Sequence, residues 1–497
     1  MAVQEAVRNV AHPSLDERRA KGRQASDRTP PSSHSGWRPA ADRPDPIALL
    51  EEQDLTREPD LVPVRHGRMA VSPFTFYRGT AKIMAADLAD TPVAGLDAQL
   101  CGDAHLSNFG VFASPERRLL FDLNDFDETL PGPFEYDVKR MAASFMIAAR
   151  NNGFSKADAR AATQASVTAY RQAMAEFAAM PTMDVWYAHL EEQELMAAIR
   201  STVAETKKEA KEAKKGKKNE EQEKLAKLAE KQAAKVAAKA HTRDSLQALS
   251  KLGETVDGQY RIVSQPPVIV PARDLAATFG LSPDEVMPVI HEQFRRYRAT
   301  LQPDRRHLLE QFEFVDVARK VVGVGSVGTR AFIVLLQGRD ATDPLFLQIK
   351  EATASVLEAH LPKSRYRHHG QRVVEGQRLM QAATDIFIGW QHVRSDLDGQ
   401  ERDFYVRQLK DWKGSLVIEA MRPPALAAYG KACGWTLARA HARSGDRIAI
   451  SAYLGKSDAF DRAMASFAET YADQNERDFA ALQAAVASGR VKVETGL

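Results

Sequence analysis

The sequence predicts an α+β protein with a mainly helical part and a smaller β-rich part. Long stretches early and late in the chain, such as GPFEYDVKRMAASFMIAARNNG and DAFDRAMASFAETYADQNERDFAALQAAVASG, carry apolar residues at helical spacing. Between them, FVDVARKVVGVGSVGTRAFIVLLQGRDATDPLFLQIKEA is β-branched and apolar around a glycine cluster, which reads as strand, tight turn, strand, loop, strand. A chain of 497 residues is also too long for one ordinary core, so more than one compact unit is expected. The formal net charge of +2 gives no field that would collect nucleic acid or an anionic membrane, so neither is an expected partner.

Residues 1–45 mix Arg, Ser, Pro and Gln with little apolar surface, and composition predicts a mobile tail. Residues 46–310 read as the mainly helical part, with Ser155 and Asp158 placed to cap one helix and Ser282 and Glu285 another. Within it, residues of about 203–240 form a lysine-rich, almost wholly polar helical insertion, a solvated protrusion that could dock a protein partner. Residues 311–415 form the β-rich part, and 416–497 return as helices to the first part. No apolar run approaches the ~20 residues of a membrane span, and the start of the chain lacks the apolar core of a signal peptide. Two cysteines, Cys101 and Cys433, give no disulfide framework and suit a reducing compartment, so a cytoplasmic location is expected.

The chemistry is concentrated in two places. In CGDAHLSNFG, Asp103 and Asn108 share a loop, and fourteen positions later Asp122 ends the strand pattern LLFDL, followed by Asp125, Asp127 and Glu128 in one turn. So much acid must be solvated, capped or neutralised by a cation, and Asp and Asn oxygens suit a hard ion such as Mg2+. A base, an Asn five positions on and a further Asp from the next strand are the parts of a phosphoryl-transfer site. His105 either orients the loop or ligates a metal.

The second place is VVGVGSVGTRAFIVLL, where Gly323, Gly325 and Gly328 fit G-x-G-x-x-G. The β-like AFIVLL that follows excludes the helix a dinucleotide fold needs there, and leaves a glycine hairpin over phosphates. Lys350, in LFLQIKEA, falls where a third strand would present a lysine, with Glu375 on the amphipathic QRVVEGQRLMQAA as its acidic partner or Glu358 as the alternative. Arg78 would clamp a phosphate or pair with the acids from Asp122 to Glu128. His441 with Asp446 reads as helix packing, and His368–His369 as part of a basic loop, either solvated or facing an anion.

Together these segments resemble the protein-kinase-like superfamily, most closely the aminoglycoside and choline phosphotransferases, whose catalytic loop reads H-G-D-x-H-x-x-N. The resemblance implies a two-lobed fold that binds ATP and Mg2+. It implies Asp103 as catalytic base, Asn108 with Asp122 or Asp125 as metal ligands, and Gly323, Gly325, Gly328, Lys350, Glu375 and Arg78 as nucleotide-binding residues. It also implies that Asp137, in PGPFEYDVKRMAA, braces the catalytic loop. Cys101 stands where those enzymes carry His, and the acidic loop precedes the glycine loop, so the resemblance implies a circularly permuted order. Through FYRGTAKIMAADL, CGDAHLSNFG, FDLNDFDET, RQLKDWKGS and YADQNERD the chain is also similar, from about residue 46 onward, to a bacterial family of unknown function numbered 2252. The expected function is an ATP- and Mg-dependent phosphotransferase acting on a small molecule. A non-catalytic nucleotide-binding regulator or scaffold, a nucleotidyl transferase and a metal-dependent hydrolase remain as alternatives.

Overall fold

The computed structural model describes residues 11–197, 245–256, 259–278, 283–321, 323–394, 399–409 and 412–496, with short pieces at 234–235 and 238–242. The expected lysine-rich insertion falls almost wholly outside these residues, as does the expected cap at Ser282.

The chain is α+β. Its β part is a six-stranded antiparallel sheet whose strands lie in the order Gly389–Arg394, Glu401–Gln408, Pro344–Ala352, Ala331–Gln337, Glu313–Lys320 and Ile269–Pro271. Both faces of this sheet are covered. Along AFIVLL, Val334 and Leu336 pack with Tyr297, Leu301 and Leu309, whereas Ile333 and Leu335 pack with Ala248, Leu249 and Ile262. Two-sided burial explains why this strand reads as a continuous apolar run rather than an alternation. The sheet also begins earlier than residue 311, because Ile269–Pro271 pairs with Ala318–Lys320.

The helical part is built on Glu135–Asn151, Lys156–Ala179, Pro423–Ser444 and Ala459–Ala487, with buried alanines and aromatics shared among them. Ser155 caps the second of these by accepting from the Asp158 N–H at 3.1 Å. Two short antiparallel pairs, Asp97–Leu100 with Leu130–Pro133 and Phe109–Ala113 with Leu119–Leu123, lie between the helices and the large sheet. Cys101 and Cys433 are buried free thiols. No helix among the described residues is long and apolar enough to cross a membrane.

The expectation of a mobile tail fails for residues 11–45. Ser14 and Glu17 form a capping box that starts the helix Leu15–Arg28, which packs on the helix Arg447–Leu454 through Gly22 and Ala25. Arg43 then bridges Asp87 and Asp478, contacting each with two nitrogens at 2.5–2.9 Å, and His34 is buried against the Tyr453 hydroxyl at 2.7 Å. Trp37 adds an aromatic anchor, packing on Phe467 and Tyr471, and composition missed the segment because a few such contacts, not bulk apolar area, fix it.

Candidate functional site

The hairpin register explains how the first motif converges. Phe109 pairs with Leu123 and Gly110 with Asp122, so the residues just beyond the pairing, Asn108 and Asn124, become neighbours. The Asn124 N–H donates to the Asn108 carbonyl at 2.8 Å. Asn108 in turn turns its amide Nδ2 to the Asp103 carbonyl at 2.8 Å, closing the loop on itself.

Asp137 braces this loop. It lies in the first turn of Glu135–Asn151, and its carboxylate accepts from the N–H groups of Cys101 at 2.8 Å and Gly102 at 3.0 Å. His441 stands behind it, with Nε2 3.3 Å from Asp137 and Nδ1 2.9 Å from the Tyr170 hydroxyl. Gly102 has φ +82°, and a Cβ there would sit 2.2 Å from the Glu128 carbonyl oxygen. A glycine is therefore what lets the loop lie directly on the acidic turn.

Asp103 accepts from Arg140 Nε at 2.7 Å. Arg140 is itself fixed, donating to the Tyr77 carbonyl at 2.8 Å with its guanidinium 3.9 Å from the Tyr77 ring centre. The Asp103 side chain keeps about 19% exposure. Burial pushes its carboxyl up, against the pull of Arg140. His105 is buried 3.8 Å from Asp103, and burial with Arg140 and Arg78 nearby holds the imidazole neutral.

The acidic turn gathers the second motif. Lys350 and Tyr405 are cross-strand partners in the large sheet, so both point the same way, and both reach Asp127. Lys350 forms an ion pair with Asp127 and lies 3.8 Å from Asp125, while the Tyr405 hydroxyl donates to Asp127 at 2.8 Å. From the glycine segment, the Ser326 hydroxyl approaches Asp127 at 3.4 Å. Burial and the adjacent Asp127 push Asp125 up. Burial acts the same way on Asp127, but Lys350, Tyr405 and Arg407 outweigh it and hold that carboxyl down. Glu128, accepting from the Val356 N–H at 2.7 Å, is pushed up to about 7 by burial. Arg372, one turn into the helix His369–Met380, ties the turn down by donating to the carbonyls of Asp127 and Thr353 at 2.8 Å and Thr129 at 2.7 Å.

The structure thus brings together Asp103, Asn108, Asp125, Lys350 and the glycine segment, and leaves out two expected members. Asp122 is already engaged inside its strand, where Arg439 donates to Oδ1 at 2.5 Å and the N–H groups of Leu123 and Ala382 donate to its carboxylate at 2.8 Å each. Glu375 does not partner Lys350 either. It pairs with Arg378 at 3.0 Å on its own helix, and Glu358 lies 4.0 Å from Arg372. Asp127 takes the place expected of a helix glutamate, although the sequence marked it only as one acid of the turn.

Gly323 and Gly328 have φ +70° and +86°, and Gly325 lies against the Arg78 carbonyl. The segment is held by Arg68, which donates to the Gly323 carbonyl at 2.5 Å, and by Arg57, which donates to that of Val327. Arg78 pairs with none of Asp122 to Glu128 among the described residues. It is largely buried, its Nε has no hydrogen-bond partner, and its nearest electrostatic neighbours are Glu419 and Asp103. Beside Asn124, a cavity of about 30 Å³ is lined by Arg407 and Lys413, whose ammonium burial drives down to about 7. A cavity of about 500 Å³ lies across the hairpin, at Arg118, Trp186, Arg305 and Arg378, and no residue of the acidic turn lines it.

Arg140, Arg372, Tyr405 and Ser326 also belong to the site and were not singled out in the sequence. Only Ser326, inside the glycine run, carried a positional signal. The amide oxygen of Asn108 and the carboxylate of Asp125 are the donor types a hard divalent cation takes.

The chain belongs to the family described as uncharacterized protein conserved in bacteria (DUF2252), whose model matches residues 57–235 and 221–485. No curated protein and no solved structure matches it.

Proposed function

We propose that this chain is an ATP- and Mg2+-dependent phosphotransferase with a two-lobed, protein-kinase-like fold in circularly permuted order. One observation carries the reading. Ser326 and Lys350, some 200 residues from the acidic turn in sequence, both contact Asp127, beside Asp125, Asn108 and Asp103. Chance placement of a glycine hairpin and an unrelated acidic loop has no reason to join them at one carboxylate.

In this reading Asn108 and Asp125 hold the metal, and Lys350 leaves Asp127 to face the phosphates. Bound Mg2+ would neutralise charge on the transferred group. Asp103 accepts the acceptor's hydroxyl proton, and its raised affinity for a proton suits that task. Arg140 keeps the carboxylate aimed, and Arg78 supplies a fixed positive charge at the mouth of the loop. A small-molecule acceptor fits a site bounded by helices and loops. Nucleotidyl transfer would use the same parts, and product analysis separates the two.

The test is calorimetric titration of ATP into the protein, with and without Mg2+. Wild type is expected to bind in a Mg2+-dependent manner, and Lys350→Ala to bind about 10–100-fold more weakly, the worth of one charge-assisted contact. Absence of binding, or equal binding by the variant, would separate the glycine segment from the acidic turn.

A further inference from the structure

A second cluster of ligating side chains lies at the start of the helix His369–Met380 and belongs to no part of the proposed phosphotransfer site. His392 and Asp403 are directly opposite each other on the edge strand Gly389–Arg394 and its neighbour Glu401–Gln408. The helix begins against these strands, and a Cβ at Gly370 would come within 2.3 Å of the Phe404 carbonyl oxygen, so only glycine permits the approach. That closeness delivers His368. Its Nδ1 lies 3.3 Å from Asp403 Oδ1, and His392 Nδ1 lies 2.9 Å from the same oxygen. The two imidazole rings are 4.6 Å apart.

We infer that His368, His392 and Asp403 form a binding site for a borderline divalent ion, with Zn2+ as the best fit. Two imidazole nitrogens and a carboxylate oxygen are the donor set zinc prefers, whereas Mg2+ asks for oxygens alone. The spacing suits it too. Bonds of about 2.0–2.1 Å in a tetrahedral centre put ligand atoms about 3.3 Å apart, close to the two N–O separations here. The three ligand atoms all lie within 4.8 Å of one another. Glu401, two residues before Asp403 and so on the same strand face, brings a carboxylate oxygen 3.9 Å from His392 Nε2. A small movement lets it accept the Nε2 proton, which leaves Nδ1 as the metal-binding nitrogen. The other Asp403 oxygen accepts the His369 N–H at 2.8 Å and is thereby oriented. With His368 and His392 about 28% and 34% exposed, water can reach the fourth position.

The ion would tether the start of this helix to the sheet edge. Arg372 stands one turn further along the helix and holds the acidic turn, so the site acts as a structural anchor for that turn and does not depend on the nucleotide reading.

The experiment strips the full-length protein with a chelator, then titrates Zn2+ alone and follows stoichiometry by elemental analysis and stability by thermal unfolding. One zinc per chain and a raised Tm are expected, with affinity falling at least about 100-fold in His392→Ala and His368→Ala. Millimolar Mg2+ should not compete. No uptake, or uptake unchanged in both variants, overturns the inference. Zinc-edge X-ray absorption on the wild type decides independently of whether the variants fold. Two imidazoles and oxygen ligands are expected, and a spectrum without two imidazoles overturns the site.

Discussion

Asp122 lies in the strand Leu119–Leu123 and Asp125 two residues beyond its end, yet the two belong to regions built on different principles. On the Asp122 side the charges balance. One carboxylate meets one guanidinium, both backbone donors within reach are used, and Arg439 also donates to the Met380 carbonyl at 2.6 Å. On the Asp125 side the charges form a network, with Asp103, Asp125, Asp127 and Glu128 influencing one another among Arg140, Lys350, Arg372 and Arg407, and Lys350 facing two of the acids. A satisfied buried pair holds structure together, whereas a network of several acids and cations beside a glycine segment leaves its members able to change partners, and the proposed function rests on that network. Residue type alone does not separate the two; Asp122 lies within the strand beside Arg439, and Asp125 in the turn after it beside Lys350.

The largest effect should come from breaking the balanced side. Arg439→Ala leaves Asp122 charged, buried and unpaired, and is expected to cost about 3–5 kcal/mol, a large part of a typical domain's stability. Asp125→Asn, only three residues from Asp122, should leave stability near wild type, since it removes one of several mutually repelling carboxylates. Denaturant titration of both variants tests the contrast. A comparable loss in Asp125→Asn would erase it and make the acidic turn structural.

Asp103→Asn probes the functional side from its other edge. The amide retains an oxygen for Arg140, so Tm should shift little, while phosphoryl transfer falls about 100- to 10,000-fold with the loss of the base. ATP binding should persist. A variant that keeps full turnover removes Asp103 from the chemistry, and one that unfolds assigns it to the balanced class with Asp122.

Much of this was legible in sequence. The helices, the strand–turn–strand around the glycines and the Asp103–Asn108 loop followed from periodicity and spacing, and Asp137 sits where its motif implied. What was not legible depended on three-dimensional direction. Asp122 ended the strand pattern and so looked like the ligand, but it is engaged by Arg439 from a helix more than three hundred residues on. Glu375 had the right helix but faces Arg378. Arg140 and Arg372 act through carbonyls and carboxylates remote in sequence, for which no local pattern exists. The N-terminal segment was misread because a few residues, Arg43, His34, Trp37 and a capping box, fix it rather than a long apolar stretch.

A smaller effect concerns pH. Glu128 has its folded pKa raised from the ordinary 4.5 to about 7, so between those values the native protein holds a proton that the unfolded chain has released. Stability therefore falls as pH rises from about 4.5 to about 7, by on the order of 2 kcal/mol from this group. Buried Glu135, also raised to about 7, adds a slope of the same sign. Glu128→Gln keeps an oxygen for the Val356 N–H and should flatten part of the profile in denaturant titrations across that range. An unchanged slope would mean that Glu128 stays ionised in the folded protein.

The smallest effect is expected at Glu375, and it tests the comparison most sharply. In a conventional arrangement a helix glutamate positions the phosphate-binding lysine, and its loss would cripple nucleotide binding. Here that lysine is engaged by Asp127 and Asp125, and Glu375 spends its charge on a half-exposed i,i+3 neighbour. Glu375→Ala should change stability by no more than about 0.5 kcal/mol and leave ATP affinity as it is, whereas Asp127→Ala should alter it. If calorimetry found the reverse, Lys350 would have to exchange partners on binding, with Glu375 taking it from the acidic turn.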